Sequence, residues 1–372
     1  MTDAAECSME VFDVHKVERL VPVFFVGAPK SGTTFLFSLF DNHPATVSLL
    51  ETGLFGLKLW DGMTEGEFER QFAKYLKYWS TAENPSSANL DIEAVTQRAM
   101  ALRREFPGRS LHRICLEAIL EGAIEQVDVA RYQGLTHFVE KTPRHYNTIE
   151  ELFRAYPNAR VVHVVRDPRD NYLALKRWMR RKNELDFHPL AFLRDRVLSG
   201  LSQARINAEK YGPQYKIVFY EDLLVHQDRL IRPICDWIEL PWDDCLMEPS
   251  MQGLPYGGNS GKEELAGKLH AFDRRPIGRW KKELSAREVV LLDQVIRASG
   301  LEAKYDVRAG GFWGWWRCLG SLWRRFEGEK FCDDIRFHPR QVANYFTLRF
   351  WLLWQLACRH AFPFRQVLQA RN

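Results

Sequence analysis

Lys30, Ser31, Gly32, Thr33 and Thr34 crowd one short stretch, Gly27-Ala28-Pro29-Lys30-Ser31-Gly32-Thr33-Thr34. A cation, three hydroxyls and a glycine in so few residues suit the holding of a phosphate or sulfate. The first N–H groups of a helix have no intrahelical acceptor, and the helix dipole adds partial positive charge there. One such dipole contact contributes only ~0.3–1 kcal/mol, so Lys30 and the hydroxyls are needed to reinforce it. The run differs from a Walker A loop, G-x-x-x-x-G-K-[ST]: its lysine precedes the second glycine, and Thr33 stands at the Walker lysine position. A second candidate is Arg166, directly after Arg160-Val161-Val162-His163-Val164-Val165. Walker-type enzymes place a Mg²⁺-binding Asp at the end of such a strand. Here a cation takes that place, and Asp167 can cap the following helix instead. The pattern meets anionic charge with side-chain cations and calls for no metal.

The elements that must position these groups can be read from periodicity. Val21 to Val26 is short, apolar on both faces and rich in β-branched and aromatic residues, as a buried parallel strand should be. A helix at Phe35 to Phe40 follows the glycine-containing turn. Further strands are expected at Thr46 to Leu50, His137 to Val139, Arg160 to Val165 and Tyr215 to Phe219. Thr64 to Tyr132 reads as helical with a polar break at 84–89, and another helix fits Ala286 to Ala298. Strands alternating with helices predict an α/β fold: a P-loop-like, three-layer arrangement around a central parallel sheet of four or five strands. Trp242 to Gly267 reads as a long loop, of the kind that often forms a functional lid. The composition changes at Gly310-Gly311, beyond which lie six of the twelve tryptophans. The expected organisation is one domain over 1–309 and a Trp-rich helical appendage over 310–372.

Composition narrows the class. With 46% hydrophobic and 27% charged residues, the 372-residue chain should be globular. A net charge of +4 admits anionic ligands without the concentrated basic face that nucleic acid demands. The seven cysteines form no CxxC pair, which argues against a zinc site and for reduced thiols. The first twenty residues have no signal-like apolar run, and Tyr345 to Cys358 is too short and too interrupted by Arg349 to span a bilayer. The expected location is cytoplasmic, with membrane association as an option.

Four stretches, in order, resemble the family of sulfotransferases that use 3′-phosphoadenosine 5′-phosphosulfate (PAPS). Gly27 to Thr34 with Asp41-Asn42-His43-Pro44 is similar to the family's 5′-phosphosulfate loop and first helix. Val165-Arg166-Asp167-Pro168-Arg169-Asp170 resembles its 3′-phosphate element; Tyr220-Glu221-Asp222-Leu223 and Gly278-Arg279-Trp280-Lys281 resemble later signatures. The resemblance implies that Lys30 stabilises charge on the bridging oxygen and that Ser31, Gly32, Thr33 and Thr34 bind the 5′-phosphate. It implies that Arg166 binds the 3′-phosphate, with Arg275 and Arg279 closing over it. Tyr220 and Trp280 either touch the nucleotide or belong to the core. Ala174 departs from the usual serine; a lost hydrogen bond to a charged group costs ~1.5–3 kcal/mol unless Lys176 or Arg177 compensates.

Sulfuryl transfer to a hydroxyl needs a base within hydrogen-bond reach of its proton. Glu51 ends the strand after the loop helix, so it should stand at the C-terminal edge of the sheet. In the carbohydrate- and protein-modifying branches a glutamate holds the corresponding place, whereas the small-molecule branch uses a histidine; the expected acceptor is a carbohydrate hydroxyl, then a lipid-linked or glycolipid hydroxyl, with a small metabolite as a further option. The alternative role for Glu51 is to cap a helix near Gly53. Lys141 resembles a family lysine near the acceptor, or simply pairs with a neighbouring carboxylate. His43 reads as structural. The run Arg177 to Lys182 suits a solvated helix end, an anionic acceptor or a membrane surface. The C-terminal Trp/Arg segment suits core packing, a homodimer contact or a peripheral membrane contact. Two rivals remain: a P-loop kinase or NTPase, which would need Mg²⁺ and a carboxylate in place of Arg166, and a nucleotide-binding scaffold without turnover.

Overall fold

The computed structural model describes residues 16–80, 90–127, 129–181, 189–251, 254–256, 274–307, 311–323, 326 and 339–357. The five apolar runs form one parallel sheet: β1 (Val21–Gly27), β2 (Thr46–Leu50), β3 (His137–Lys141), β4 (Arg160–Val165) and β5 (Tyr215–Phe219), in the order β2-β3-β1-β4-β5. β1 is buried along all but its first residue, which is why its sequence is apolar without alternation. The strand order reverses at β1, and in open α/β sheets ligands bind outside the carboxyl ends of the strands at such a reversal. β3 runs two residues beyond the expected Val139. Glu140 and Lys141 are strand residues with no exposed surface, and each is tolerated there because it has a partner. The register aligns Lys141 with both Phe25 of β1 and Leu50 of β2, so the residue after Leu50, Glu51, follows immediately.

The chain divides into two compact units. The first holds the described residues of Met1–Val26, Thr33–Val162 and His226–Phe272. Its helix α1 (Thr33–Phe40) is buried at every residue. α2 (Glu65–Trp79) starts at a capping box between Thr64 and Glu67, and α3 (Ile92–Glu105) starts on Asp91, whose carboxylate accepts from two backbone amides. In the core of this unit, the Phe24 ring packs edge-on against Phe55 and Phe138. The long loop expected from Trp242 contains a 3₁₀ turn, Asp244–Met247, and a two-stranded antiparallel pair, Ser250–Met251 with Leu254–Pro255; its glycine-rich part lies outside the described residues.

The second unit holds the described residues of Gly27–Gly32, His163–Val225 and Asp273–Asn372. After α4 (Leu111–Ile124) and α5 (Ile149–Ala155) of the first unit, the second unit's long helices are α6 (Pro168–Arg181), α7 (Ala286–Ala298), α8 (Gly311–Leu322) and α9 (Pro339–Ala357). Both α8 and α9 pack on α7, and the buried Arg349 of α9 donates from Nε to the Leu322 carbonyl at 2.6 Å. The four described cysteines, at 115, 235, 245 and 318, are free thiols; Cys7, Cys332 and Cys358 lie outside the described residues. Among the described residues, no helix is long and apolar enough to cross a membrane.

Candidate active site

Each strand of the sheet ends at a candidate residue: the Lys30 loop after β1, Glu51 after β2, Lys141 as the last residue of β3, Arg166 after β4 and Tyr220 after β5. In the second unit, the loop turns through Lys30 at φ 67° and Gly32 at φ 106°. A Cβ on Gly32 would stand 2.1 Å from Tyr220 Cδ2, so only glycine lets the loop lie against that ring. Arg166 donates from Nη1 to the Lys30 carbonyl at 3.0 Å and from Nη2 to the Pro276 carbonyl at 3.1 Å. Its guanidinium lies 4.7 Å from the Tyr220 ring centroid, and Asn171 holds the Pro29 carbonyl at 2.9 Å. Lys30, Ser31, Gly32, Arg166 and Tyr220 thus form one cluster. Two buried donors in it, Ser31 Oγ and Arg166 Nε, have no hydrogen-bond partner among the described residues. Such atoms are costly unless a ligand completes them, and a phosphorylated nucleotide would. The residues present fit the donor nucleotide that the sequence implies. Thr33 and Thr34 open α1 directly after the loop, both buried.

Helix α6 holds the rest of this cluster in place. Asp170 accepts from the Gly278 amide at 2.6 Å and the Trp280 amide at 3.0 Å, anchoring the segment that carries Arg275 and Arg279. Burial raises the Asp170 pKa, and those amides and Arg166 oppose the rise. Arg169 is buried between Asp167 and Asp293, with its guanidinium 4.0 Å from the Trp280 ring centroid, so Trp280 has a core role. Arg275 is exposed and Arg279 half-buried, with Arg279 Nε donating to the Arg275 carbonyl at 3.0 Å. Neither residue proposed to offset Ala174 is turned to that purpose: Lys176 bonds Glu288 at 2.8 Å and Arg177 pairs with Glu283 at 3.0 Å. Trp178, in the basic run, instead lies 5.2 Å from Lys30 Nζ in cation–π geometry, a contact that sequence spacing does not reveal.

In the first unit, Lys141 Nζ donates to Glu51 Oε1 at 2.5 Å, and the Glu51 amide donates to the Lys141 carbonyl at 2.6 Å. The ammonium is buried, whereas the Glu51 side chain is 55% exposed. Burial lowers the Lys141 pKa, with Glu51 opposing. An exposed carboxylate oriented by a buried cation can take a proton from a hydroxyl. Glu51 does not cap the turn at Leu54–Gly56, whose N-cap is Gly53 without a side-chain bond.

Behind this pair lies a carboxylate that the sequence pattern does not single out, Glu140. Glu140 Oε1 accepts from the Thr52 amide at 3.2 Å, the Thr52 hydroxyl at 2.8 Å and the Thr142 hydroxyl at 2.5 Å, and Oε2 meets His145 at 3.2 Å. Burial pushes the Glu140 carboxyl up, yet His145 and these hydrogen bonds outweigh it and leave the pKa below the usual carboxylate value. The Thr142 hydroxyl also accepts from the Gly53 amide at 2.9 Å. Glu140 therefore ties the residue after Glu51 to the residue after Lys141. The sequence signal was two adjacent charges at the end of an apolar run. His43 is buried: Nδ1 accepts from the Ala45 amide, so Nε2 carries the proton and donates to the Pro241 carbonyl at 2.9 Å, a structural arrangement.

Backbone strain singles out the same positions. The described non-glycine residues with positive φ are Lys30, Glu51 and Glu239. Glu239 caps a helix C-terminus, where a left-handed residue is ordinary. The other two have no such excuse, and strained backbone clusters at functional sites.

A sequence model described as "Sulfotransferase family" matches residues 22–244. The chain belongs to the sulfotransferase family. The match takes in every candidate catalytic or donor-binding residue of this sulfotransferase-family chain except Arg275, Arg279 and Trp280. Among curated relatives, a protein-tyrosine sulfotransferase of Drosophila melanogaster is 20% identical over 239 residues, covering 63% of this chain and 41% of its own. Protein-tyrosine sulfotransferase 1 of Danio rerio is 21% identical over 294 residues, covering 76% and 64%. The chain thus spans less than two thirds of the length of these relatives. A solved sulfotransferase domain from the Synechococcus PCC 7002 olefin synthase aligns with a TM-score of 0.47 at 14% identity, covering 72% of this chain and 90% of that one. Among the described residues, no group of three or more His, Cys, Asp or Glu is placed to hold a metal ion.

Proposed function

We propose that this chain transfers a sulfuryl group from PAPS to an acceptor hydroxyl, with Glu51 as general base. The observation that carries the reading is the cluster of Lys30, Ser31, Gly32 and Arg166, in which two buried donors have no hydrogen-bond partner among the described residues. PAPS supplies the activated sulfuryl group and a leaving phosphate. Arg166 meets the 3′-phosphate and Ser31, Thr33 and Thr34 the 5′-phosphate, while Lys30 neutralises charge at the bridging oxygen. Arg275 and Arg279 border the 3′-phosphate, and the Tyr220 ring sets the loop and Arg166 at the right height. Glu51 takes the acceptor proton, and Lys141 orients the Glu51 carboxylate. Neither Lys176 nor Arg177 replaces the serine missing at Ala174; the free Arg166 Nε is the better candidate.

For the acceptor, a glutamate base supports a carbohydrate or glycolipid hydroxyl. The names of both relatives favour a second class, the phenol of a polypeptide tyrosine. The kinase reading is disfavoured because Arg166 stands where a metal-binding carboxylate would be needed.

Calorimetric titration with adenosine 3′,5′-bisphosphate, without metal, tests the donor site. Wild type should bind in the micromolar range and Arg166→Ala should lose most of that affinity. Absence of binding, with ATP·Mg²⁺ bound instead, would reverse the assignment in favour of the kinase. Glu51→Gln should bind the bisphosphate normally and lose transfer; retained transfer would remove Glu51 as the base. Parallel assays with glycan, glycolipid and tyrosine-peptide acceptors decide the class.

A further inference from the structure

Helix α9 is apolar on two faces. At about 100° per residue, Leu348, Leu352 and Leu356 share one arc, and Phe346, Phe350, Trp351 and Trp354 share the other. The leucines are buried, whereas Phe350 is 59% and Trp354 68% exposed. From the end of α8, Trp323 adds to the exposed side, with its ring 6.2 Å from Phe346 and 5.6 Å from Phe350. Trp316 on α8 is exposed as well. A helix apolar on two opposed faces calls for contact on both, and a contiguous exposed aromatic patch marks a docking surface.

Charge identifies the occupant. Neither α8 nor α9 contains Asp or Glu, while Arg317, Arg340 and Arg349 lie within them. Arg317 is exposed beside Trp316, and Arg349 is used internally. Arg194 reaches to 5.9 Å from the Trp351 ring, and its own charge is met by Asp195. The exposed residues are mainly Trp and Phe, side chains suited to the headgroup level of a bilayer. An isologous dimer through this face would set the exposed Arg317, with no helix carboxylate to meet it, against its own copy.

We propose that the aromatic face of α8 and α9 docks on an anionic membrane surface, lying in the interface without crossing it. Flotation of the full chain with phosphatidylcholine vesicles, with and without phosphatidylserine, tests this. The chain should float with the anionic vesicles, less so at high salt, and its tryptophan emission should shift to the blue. Phe350→Ser with Trp354→Ser should lower the bound fraction about tenfold or more while leaving the thermal unfolding midpoint in place. Failure to float, or flotation unaffected by the double substitution, would overturn the proposal. So would a dimer in size-exclusion chromatography that the same substitutions dissociate, with no vesicle binding; that result would give the face to a second copy.

Discussion

Glu51→Gln should destabilise the chain in a way that depends on pH. The substitution keeps an acceptor for Lys141 but removes the charge 2.5 Å from its buried ammonium. Two unit charges ~4 Å apart attract by ~1 kcal/mol in water and ~4 kcal/mol at the dielectric typical near a protein surface. The Glu51 side chain is 55% exposed, so solvent screening places the loss toward the lower end, at ~1–2 kcal/mol. Since ~1.4 kcal/mol corresponds to one pKa unit, Lys141 should titrate about one unit lower than in the wild type. Its pKa already lies below the ordinary lysine value of 10.5 because of burial. The folded chain therefore binds this proton less tightly than the unfolded chain, and stability rises with pH until the unfolded pKa is passed. In Glu51→Gln that rise begins at lower pH, so the deficit against wild type is largest near neutrality and fades in alkali. Urea denaturation across an alkaline series measures it, with Lys141→Met as the control that should lack the Lys141 limb. A deficit constant with pH, or a limb unchanged in Lys141→Met, would refute the reasoning.

Three further outcomes are expected. Gly32→Ala should cost ~2 kcal/mol or more and abolish bisphosphate binding, because φ 106° and the Tyr220 ring 2.1 Å away both oppose a Cβ; Gly32→Ala with Tyr220→Ala should recover part of the stability in thermal melts. Arg169→Met should destabilise by ~3–5 kcal/mol in chemical denaturation, since Asp167 and Asp293 are left buried without their shared cation. His163, whose pKa burial lowers from 6.5 to about 3, should contribute an acid limb: the unfolded chain takes its proton first, so stability falls as pH drops below 6.5 and keeps falling to about 3. Replacing His163 by Asn, which keeps a polar partner for the Tyr215 hydroxyl, should flatten that limb in pH-dependent melts.

The sheet was legible because buried parallel strands are written as uninterrupted apolar runs. β2, β4 and β5 lie where periodicity placed them. β3 extends past the Val139 that periodicity predicts, because Glu140 and Lys141 look like turn residues until their partners, distant in sequence, are known. The pair Ser250–Met251 and Leu254–Pro255 is too brief for any periodic signal. Lys30 and Arg166 in the second unit, and Glu51 and Lys141 in the first, were visible as residue types at strand ends. Their support was not: Glu140 acts through Thr52 and Thr142, Trp178 meets Lys30 from a helix far along the chain, and Asp170 holds two amides across more than a hundred residues. Such contacts depend on tertiary placement, which spacing along one chain does not encode.

The left-handed backbone at Lys30 and Glu51 has a consequence for anyone who tries to make this protein sturdier. A side chain held at positive φ costs ~1–3 kcal/mol, which glycine would largely relieve. A selection for thermal resistance alone should therefore drift toward glycine or asparagine at position 30, and the fittest survivors of heating would be those least able to turn over. Heat tolerance and turnover would then rank the same collection of variants in opposite order at this position, so plotting one against the other locates the working residues without any knowledge of the substrate.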